Sequence, residues 1–125
     1  PGAGLYIIVA GTVDLVREPT PGYRRRLATQ GPGTLLGQIS IIDGARRVFA
    51  ETMGDGMAVD RSGNVWVAEP TQGVFVFDPE GRHRGSILTG QRTSNLAWGD
   101  DGSTLYITAD SYLMRVRVET VGVGF

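Results

Sequence analysis

Cysteine and lysine are absent from this 125-residue chain, and histidine occurs once. Without cysteine the chain can form no disulfide, no thiolate nucleophile and no cysteine-ligated zinc site. Without lysine it has neither a Schiff-base amine nor a P-loop lysine, since all twelve of its basic residues are arginines. The single histidine, His83, cannot build a multi-histidine metal site within one chain. Any catalysis must therefore use carboxylates, hydroxyls or a hard metal ion.

Charge and hydrophobic runs exclude further classes of protein. The formal net charge of −1 at pH 7 gives no reason to expect nucleic acid or an anionic membrane as a partner. The longest apolar run, from Leu5 to Ala10, is too short to span a bilayer and lacks the basic flank of a signal peptide. We therefore expect a cytoplasmic protein. The hydrophobic content of 41% and charged content of 20% are typical of a folded domain.

Short β-branched and aromatic runs, separated by glycine, proline and aspartate, predict an all-β protein. No stretch of a dozen residues has a helical period, and the nineteen glycines suit tight turns between strands. Gly11 is expected to bend the first strand or to form a bulge in it. The runs predict strands over residues 4–17, 23–30, 34–42, 46–51, 56–60, 64–68, 73–78, 82–89, 94–98, 104–109 and 112–119.

The second half of the chain contains a repeat. Residues 57–68 align with residues 96–109 when two residues are added, and the offset of about 40 residues is the length of one four-stranded propeller blade. Trp66 and Tyr106 occupy equivalent positions in the two copies. Large residues at such positions pack one blade on the next; stacking on a ligand is the alternative.

Each copy of the repeat also contains a turn motif. The segments Asp60-Arg-Ser-Gly63 and Asp100-Asp-Gly102 both lead from one predicted strand to the next. In such turns a carboxylate accepts backbone N–H groups and a glycine takes the positive φ. We therefore interpret these aspartates as turn residues.

Residues 46–125 resemble the C-terminal blades of a gluconolactonase/regucalcin-type six-bladed β-propeller. The resemblance rests on the segments Arg46–Ala50, Gly54-Asp55-Gly56-Met57 and Asp60–Ala68. It implies that Asp55 precedes the innermost strand of a blade, faces the central channel, helps hold a divalent cation (usually calcium) and acts as base or nucleophile in lactone or organophosphate hydrolysis.

A second candidate ligand lies at the repeat-equivalent place. Asn95, preceded by Ser94, could supply a neutral oxygen to the same cation. On the residues alone, both are also readily interpreted as turn residues, and Asp55 as a turn carboxylate between two glycines. The resemblance assigns the remaining cation ligands to segments outside this sequence.

Residues 1–45 resemble a different family, the β-roll of a cyclic-nucleotide-binding domain. The resemblance rests on Leu5–Val13, Arg26–Gly33 and Gly37–Gly44. It places Gln38 where a glutamate binds the ribose and Arg47 where an arginine binds the phosphate. An amide cannot replace a carboxylate that accepts two hydroxyls. The segment is therefore expected to be a β-meander without its ligand pocket, with nucleotide binding as the alternative.

Together these observations predict one compact all-β domain built from segments 1–45 and 46–125. Its short antiparallel strands are expected in a sandwich, barrel-like or partial-propeller arrangement. Open sheet edges in both parent folds predict a homo-oligomer, such as a strand-exchanged dimer, with no nucleic-acid or membrane partner.

Three functions remain open at the level of sequence. The first is a recombined, engineered or selected chimeric fold without an intact inherited active site, for which no cofactor is expected. The second is a hydrolase of lactones or activated phosphoesters that uses Asp55 with Ca²⁺ or another divalent cation. The third is a module that binds a cyclic nucleotide or another small ligand.

Overall fold

The computed structural model describes residues 5–9, 11–33, 35–37 and 48–125, and every regular element in them is a β-strand. Gln38 and Arg47, the predicted nucleotide ligands, lie outside the described residues. The strands are β1 (Leu5–Ile7), β2 (Val13–Thr20), β3 (Tyr23–Gln30), β4 (Leu35–Gly37), β5 (Met57–Val59), β6 (Val65–Glu69), β7 (Gly73–Phe77), β8 (His83–Leu88), β9 (Thr93–Gly99), β10 (Thr104–Ala109) and β11 (Tyr112–Arg117). The described residues include no helix that is long and apolar enough to cross a membrane.

The strands form two larger antiparallel sheets and two strand pairs. Strands β5, β6, β7 and β8 lie side by side in chain order, and so do β9, β10 and β11. Strand β1 pairs with β4, and β2 pairs with β3. The two larger sheets begin with the two copies of the sequence repeat, so each copy starts a separate sheet. This simple up-and-down order is that of a propeller blade.

The main core lies between the two larger sheets. Trp66 packs edge-on against Trp98, with ring centroids 5.3 Å apart. Val74, Leu105 and Ile107 are fully buried beside them. Burying one such aliphatic side chain contributes about 1.5–3 kcal/mol. The expected packing of one blade on the next is thus confirmed for Trp66.

A second apolar cluster covers the opposite face of the sheet β5–β8. Val65, Val67 and Phe77 are buried there against Ile7 and Phe49. Both faces of the sheet β5–β8 are therefore covered by apolar side chains, and the two open, stacked sheets agree with a partial propeller rather than a closed barrel. Its completion by self-association stays a prediction.

Two predicted strands differ from the observed ones. The single strand predicted over 4–17 is observed as two strands, β1 and β2, and the bend predicted at Gly11, which takes a φ of 77°, lies between them. The strand predicted over 46–51 is wrong where it is described: residues 48–51 have no strand pairing. Phe49 instead packs onto the face of the sheet β5–β8. Within the strand predicted over 34–42, residues 35–37 are described, and they form β4.

The predicted turn chemistry, in which an aspartate accepts backbone N–H groups, is confirmed in both copies of the repeat. Asp60 Oδ1 accepts the backbone N–H groups of Ser62 and Asn64 at 2.9 and 3.0 Å. In the equivalent turn of the next sheet, Asp101 rather than Asp100 accepts the N–H of Ser103 at 3.0 Å.

In the β7–β8 turn the carboxylate of Asp78 accepts backbone N–H groups in the same way, from Glu80 and Arg82. This carboxylate makes the stability of the fold depend on pH. Burial by itself would raise the pKa of Asp78, but hydrogen bonds from Arg82 and Glu80 and the charge of Arg82 outweigh it and lower the pKa below its ordinary value of 3.8. The Asp78 carboxylate lies 2.8 Å from Arg82 Nε. A lowered folded-state pKa stabilises the fold above the unfolded-state pKa.

We therefore expect this contribution to be complete above about pH 4 and to be lost as the pH falls through the lowered pKa. Urea unfolding of the wild type and of Asp78→Asn, from pH 7 to pH 2, measures it. The wild type should have the larger unfolding free energy at pH 7, and its advantage over Asp78→Asn should decrease as the pH falls. A difference that stays constant over this range would contradict the assignment.

Candidate functional site

Asp55 lies two residues before the start of β5, on a loop held by backbone hydrogen bonds to β6. The Asp55 N–H donates to the Ala68 carbonyl oxygen at 3.0 Å, and the Ala68 N–H donates to the Gly56 carbonyl oxygen at 2.8 Å. Residue 55 is exposed, whereas Gly56 is buried. The backbone of the loop is therefore fixed while the Asp55 side chain remains accessible to solvent.

Asn95, on the neighbouring sheet, lies beside this loop. The Gly56 N–H donates to the Ser94 carbonyl oxygen at 2.9 Å. A Cβ added to Gly56 would lie 2.0 Å from Asn95 Oδ1 and 2.7 Å from Asn95 Cα. The structure thus places Asn95 against Gly56, the residue that follows the other predicted ligand, Asp55. The alternative that Ser94 and Asn95 are turn residues is wrong, because both lie in β9.

Ser94 occupies a β-bulge that sequence reasoning missed. In the β9–β10 ladder Thr108 pairs with Asn95, and Ala109 pairs with Thr93, so Ser94 is the extra residue. Ser94 and Asn95 are both exposed between the buried Thr93 and Leu96, which breaks the alternation expected of a strand. The sequence feature that could have indicated the bulge is the run of three polar residues, 93–95, directly before Leu96.

Thr108 is the second residue at this end that sequence reasoning missed. Its Oγ1 lies 3.0 Å from Ser94 Oγ and donates to the Asn95 carbonyl oxygen at 3.3 Å. Bulges commonly redirect side chains beside functional sites. The hydroxyl of Thr108 therefore contacts both residues of the irregular part of β9, Ser94 and the candidate ligand Asn95.

The site offers part of a ligand set for a hard cation. An aspartate carboxylate and an asparagine carbonyl are oxygen donors of the kind that calcium prefers, and calcium takes six to eight of them. The described part of the chain holds no group of three or more histidine, cysteine, aspartate or glutamate residues that could bind a metal. Glu69, at the same end, is buried, and its Oε2 accepts the N–H and the hydroxyl of Thr71. Asp55 and Asn95 by themselves therefore cannot supply the six to eight oxygens that calcium takes.

Two other residues singled out in the sequence lie away from this end. His83 is exposed on β8; its Nε2 is 3.0 Å from Ser86 Oγ, and its ring centroid is 4.9 Å from that of Phe75. Tyr106 is half-buried, and its hydroxyl donates to the Asp100 carboxylate at 3.1 Å.

The structure is that of a partial β-propeller. Two blade-like sheets stack on each other, and polar residues lie where the first strand of each sheet begins. Residues 23–111 match the model of the SMP-30/Gluconolactonase/LRE-like region. This match covers more than half of the chain, so the chain belongs to that family.

Individual relatives agree with this assignment. A gluconolactonase of Zymomonas mobilis is 40% identical over 70 residues, which are 54% of this chain and 19% of the relative. An X-ray structure of a protein assigned as a gluconolactonase superposes with a TM-score of 0.63 and 26% identity, covering 98% of this chain and 40% of that one. The chain thus spans about a fifth of one relative and two fifths of the other.

A relative from another family matches a shorter stretch. A cyclic AMP receptor protein of Thermus thermophilus is 41% identical over 46 residues, which are 37% of this chain and 21% of the relative. The gluconolactonase-family match begins at residue 23, well inside the segment 1–45. Similarity to that family is therefore not confined to residues 46–125.

Proposed function

We propose that this chain forms one wall of a divalent-cation-dependent site that hydrolyses lactones, with activated phosphoesters as the alternative substrates. Asp55 is the anionic ligand or base, and Asn95 is a neutral ligand. The observation that carries the proposal is the contact between sheets: the Gly56 N–H binds the Ser94 carbonyl oxygen, which puts both residues at one end of β5 and β9. Membership of the gluconolactonase family supports it.

The chemistry follows from the residue types and their exposure. A bound divalent cation polarises a carbonyl or phosphoryl oxygen and acidifies a bound water. The exposed Asp55 carboxylate can hold the cation, or it can accept the proton of the attacking water. The Asn95 amide oxygen adds a ligand without adding charge. Gly54 and Gly56 carry no side chains where a Cβ would meet Val67 Cγ1 at 2.8 Å and Asn95 Oδ1 at 2.0 Å, so the backbone on both sides of Asp55 can lie close against the two sheets.

The Asp55→Asn change tests the proposal. We expect lactone hydrolysis to require a divalent ion, to stop with a chelator and to fall about a hundredfold in this variant, because a cation-binding or proton-accepting group is lost. Unfolding free energy should change by about 1 kcal/mol or less, since the residue is exposed. Initial rates with and without Ca²⁺, together with urea unfolding, measure both. Glu51→Gln, at an exposed acid of the same loop, is the matched control and should keep full activity.

Two results would overturn this function. Hydrolysis that survives both the chelator and Asp55→Asn would place the chemistry elsewhere. A folded chain without cation binding or hydrolysis would instead indicate a recombined fold without an inherited active site.

The similarity to the cyclic AMP receptor protein favours a second hypothesis about origin and binding. Under it, residues 1–45 derive from a cyclic-nucleotide-binding β-roll joined to gluconolactonase-like blades. Because Gln38 cannot replace a glutamate that accepts two ribose hydroxyls, we expect fluorescent cyclic AMP to bind no more tightly than millimolar. A micromolar Kd that Arg47→Ala abolishes would contradict this expectation and would establish a nucleotide-binding module.

A further inference from the structure

The bulge in β9 joins the two larger sheets at the candidate site. In a regular ladder the carbonyl oxygen of a strand residue accepts from the neighbouring strand. Ser94 has no partner in the β10 ladder, and its carbonyl oxygen accepts the Gly56 N–H of the other sheet at 2.9 Å. The extra residue thus supplies an acceptor to the loop that carries Asp55.

Two features hold this junction in place. The Thr108 Oγ1 contacts Ser94 Oγ at 3.0 Å and the Asn95 carbonyl oxygen at 3.3 Å, so one hydroxyl binds both residues of the irregular segment. Gly56 has no side chain where a Cβ would overlap Asn95 Oδ1 at 2.0 Å. A residue with any side chain at position 56 would displace the Asn95 amide or lengthen the Gly56–Ser94 hydrogen bond.

We infer that Ser94, Thr108 and Gly56 are positioning residues, which set the Asp55 loop and the Asn95 side chain relative to each other across the two sheets. Their functional consequence rests on the cation site proposed above. The positioning itself is a property of the metal-free chain, because each contact is between groups of the protein. The two claims can therefore be measured separately.

Thr108→Val tests the positioning, because valine keeps the shape of threonine and removes the hydroxyl. Amide hydrogen exchange followed by NMR on the metal-free protein reports the Gly56 N–H. We expect this amide to be protected in the wild type and to exchange at least tenfold faster in Thr108→Val, while the Val67 amide in β6 keeps its protection. Thr20→Val, at an exposed threonine of the β2–β3 hairpin, is the matched control and should leave Gly56 unchanged.

Calcium titration by calorimetry then tests the consequence. Gly56→Ala should weaken binding at least tenfold and Thr108→Val several-fold, with Gly85→Ala, which meets open space, as the control. An unprotected Gly56 amide in the wild type, or exchange and affinity that Thr108→Val leaves unchanged, would overturn the inference. Faster Gly56 exchange in a chain that binds no calcium would support the positioning and overturn the proposed function instead.

Discussion

Replacing Asp60 by alanine is expected to lower the free energy of unfolding by about 4 kcal/mol. Asp60 is 1% exposed. Besides the N–H groups of Ser62 and Asn64, its carboxylate accepts from Asn64 Nδ2 at 2.9 Å and from Trp66 Nε1 at 3.0 Å. Each buried donor left without an acceptor costs about 1–3 kcal/mol. A small domain has only about 5–15 kcal/mol of stability, so the variant should be largely unfolded at moderate temperature.

Asp101→Ala is the matched control for this prediction. Asp101 caps the equivalent turn of the next sheet, where it accepts the N–H and the hydroxyl of Ser103, but its side chain is 61% exposed. Water can replace the lost acceptor there, so the loss should be a small fraction of that at Asp60. Urea unfolding followed by tryptophan fluorescence measures both variants. If the two variants lost equal amounts of unfolding free energy, burial of the hydrogen bonds around Asp60 would not be the reason for its large contribution to stability.

Gly73→Ala is expected to cost about 3 kcal/mol or more. Gly73 begins β7 with a φ of 144°, a conformation that residues with side chains rarely adopt. A Cβ there would lie 2.0 Å from the Ile87 carbonyl oxygen and 2.9 Å from the Thr89 backbone nitrogen. Both are main-chain atoms of the paired strand and its turn, so relief requires the β7–β8 ladder to shift.

Gly85→Ala, in the paired strand β8, separates this steric effect from the general cost of replacing glycine. A Cβ at Gly85 would meet open space, so the change should stay within about 1 kcal/mol and could stabilise the fold by restricting the unfolded chain. Thermal unfolding by circular dichroism compares the two variants. If Gly73→Ala melts at the temperature of Gly85→Ala, the close approach of the β7 and β8 backbones does not constrain position 73.

Local patterns in the sequence were sufficient to predict the elements of the second half. The β-branched and aromatic runs in Val65–Glu69 and Thr104–Ala109 each form a single strand, and the repeat placed Trp66 on the face that packs against the next sheet. The Asp60 turn could also be predicted from the sequence. An aspartate and a glycine three residues apart form such a turn through hydrogen bonds to neighbouring backbone groups.

The tertiary structure decided the junction at the candidate site. That Gly56 meets Ser94 and Asn95 depends on how the sheet β5–β8 packs on the sheet β9–β11, and thus on residues distant in the chain, such as Trp66 against Trp98. The described part of the strand predicted over 46–51 failed for the same reason, since Phe49 packs onto the sheet β5–β8 instead of pairing in a strand. Local sequence specifies a strand through its alternation, whereas only apolar packing between sheets determines which strand ends meet and which side chains face one another.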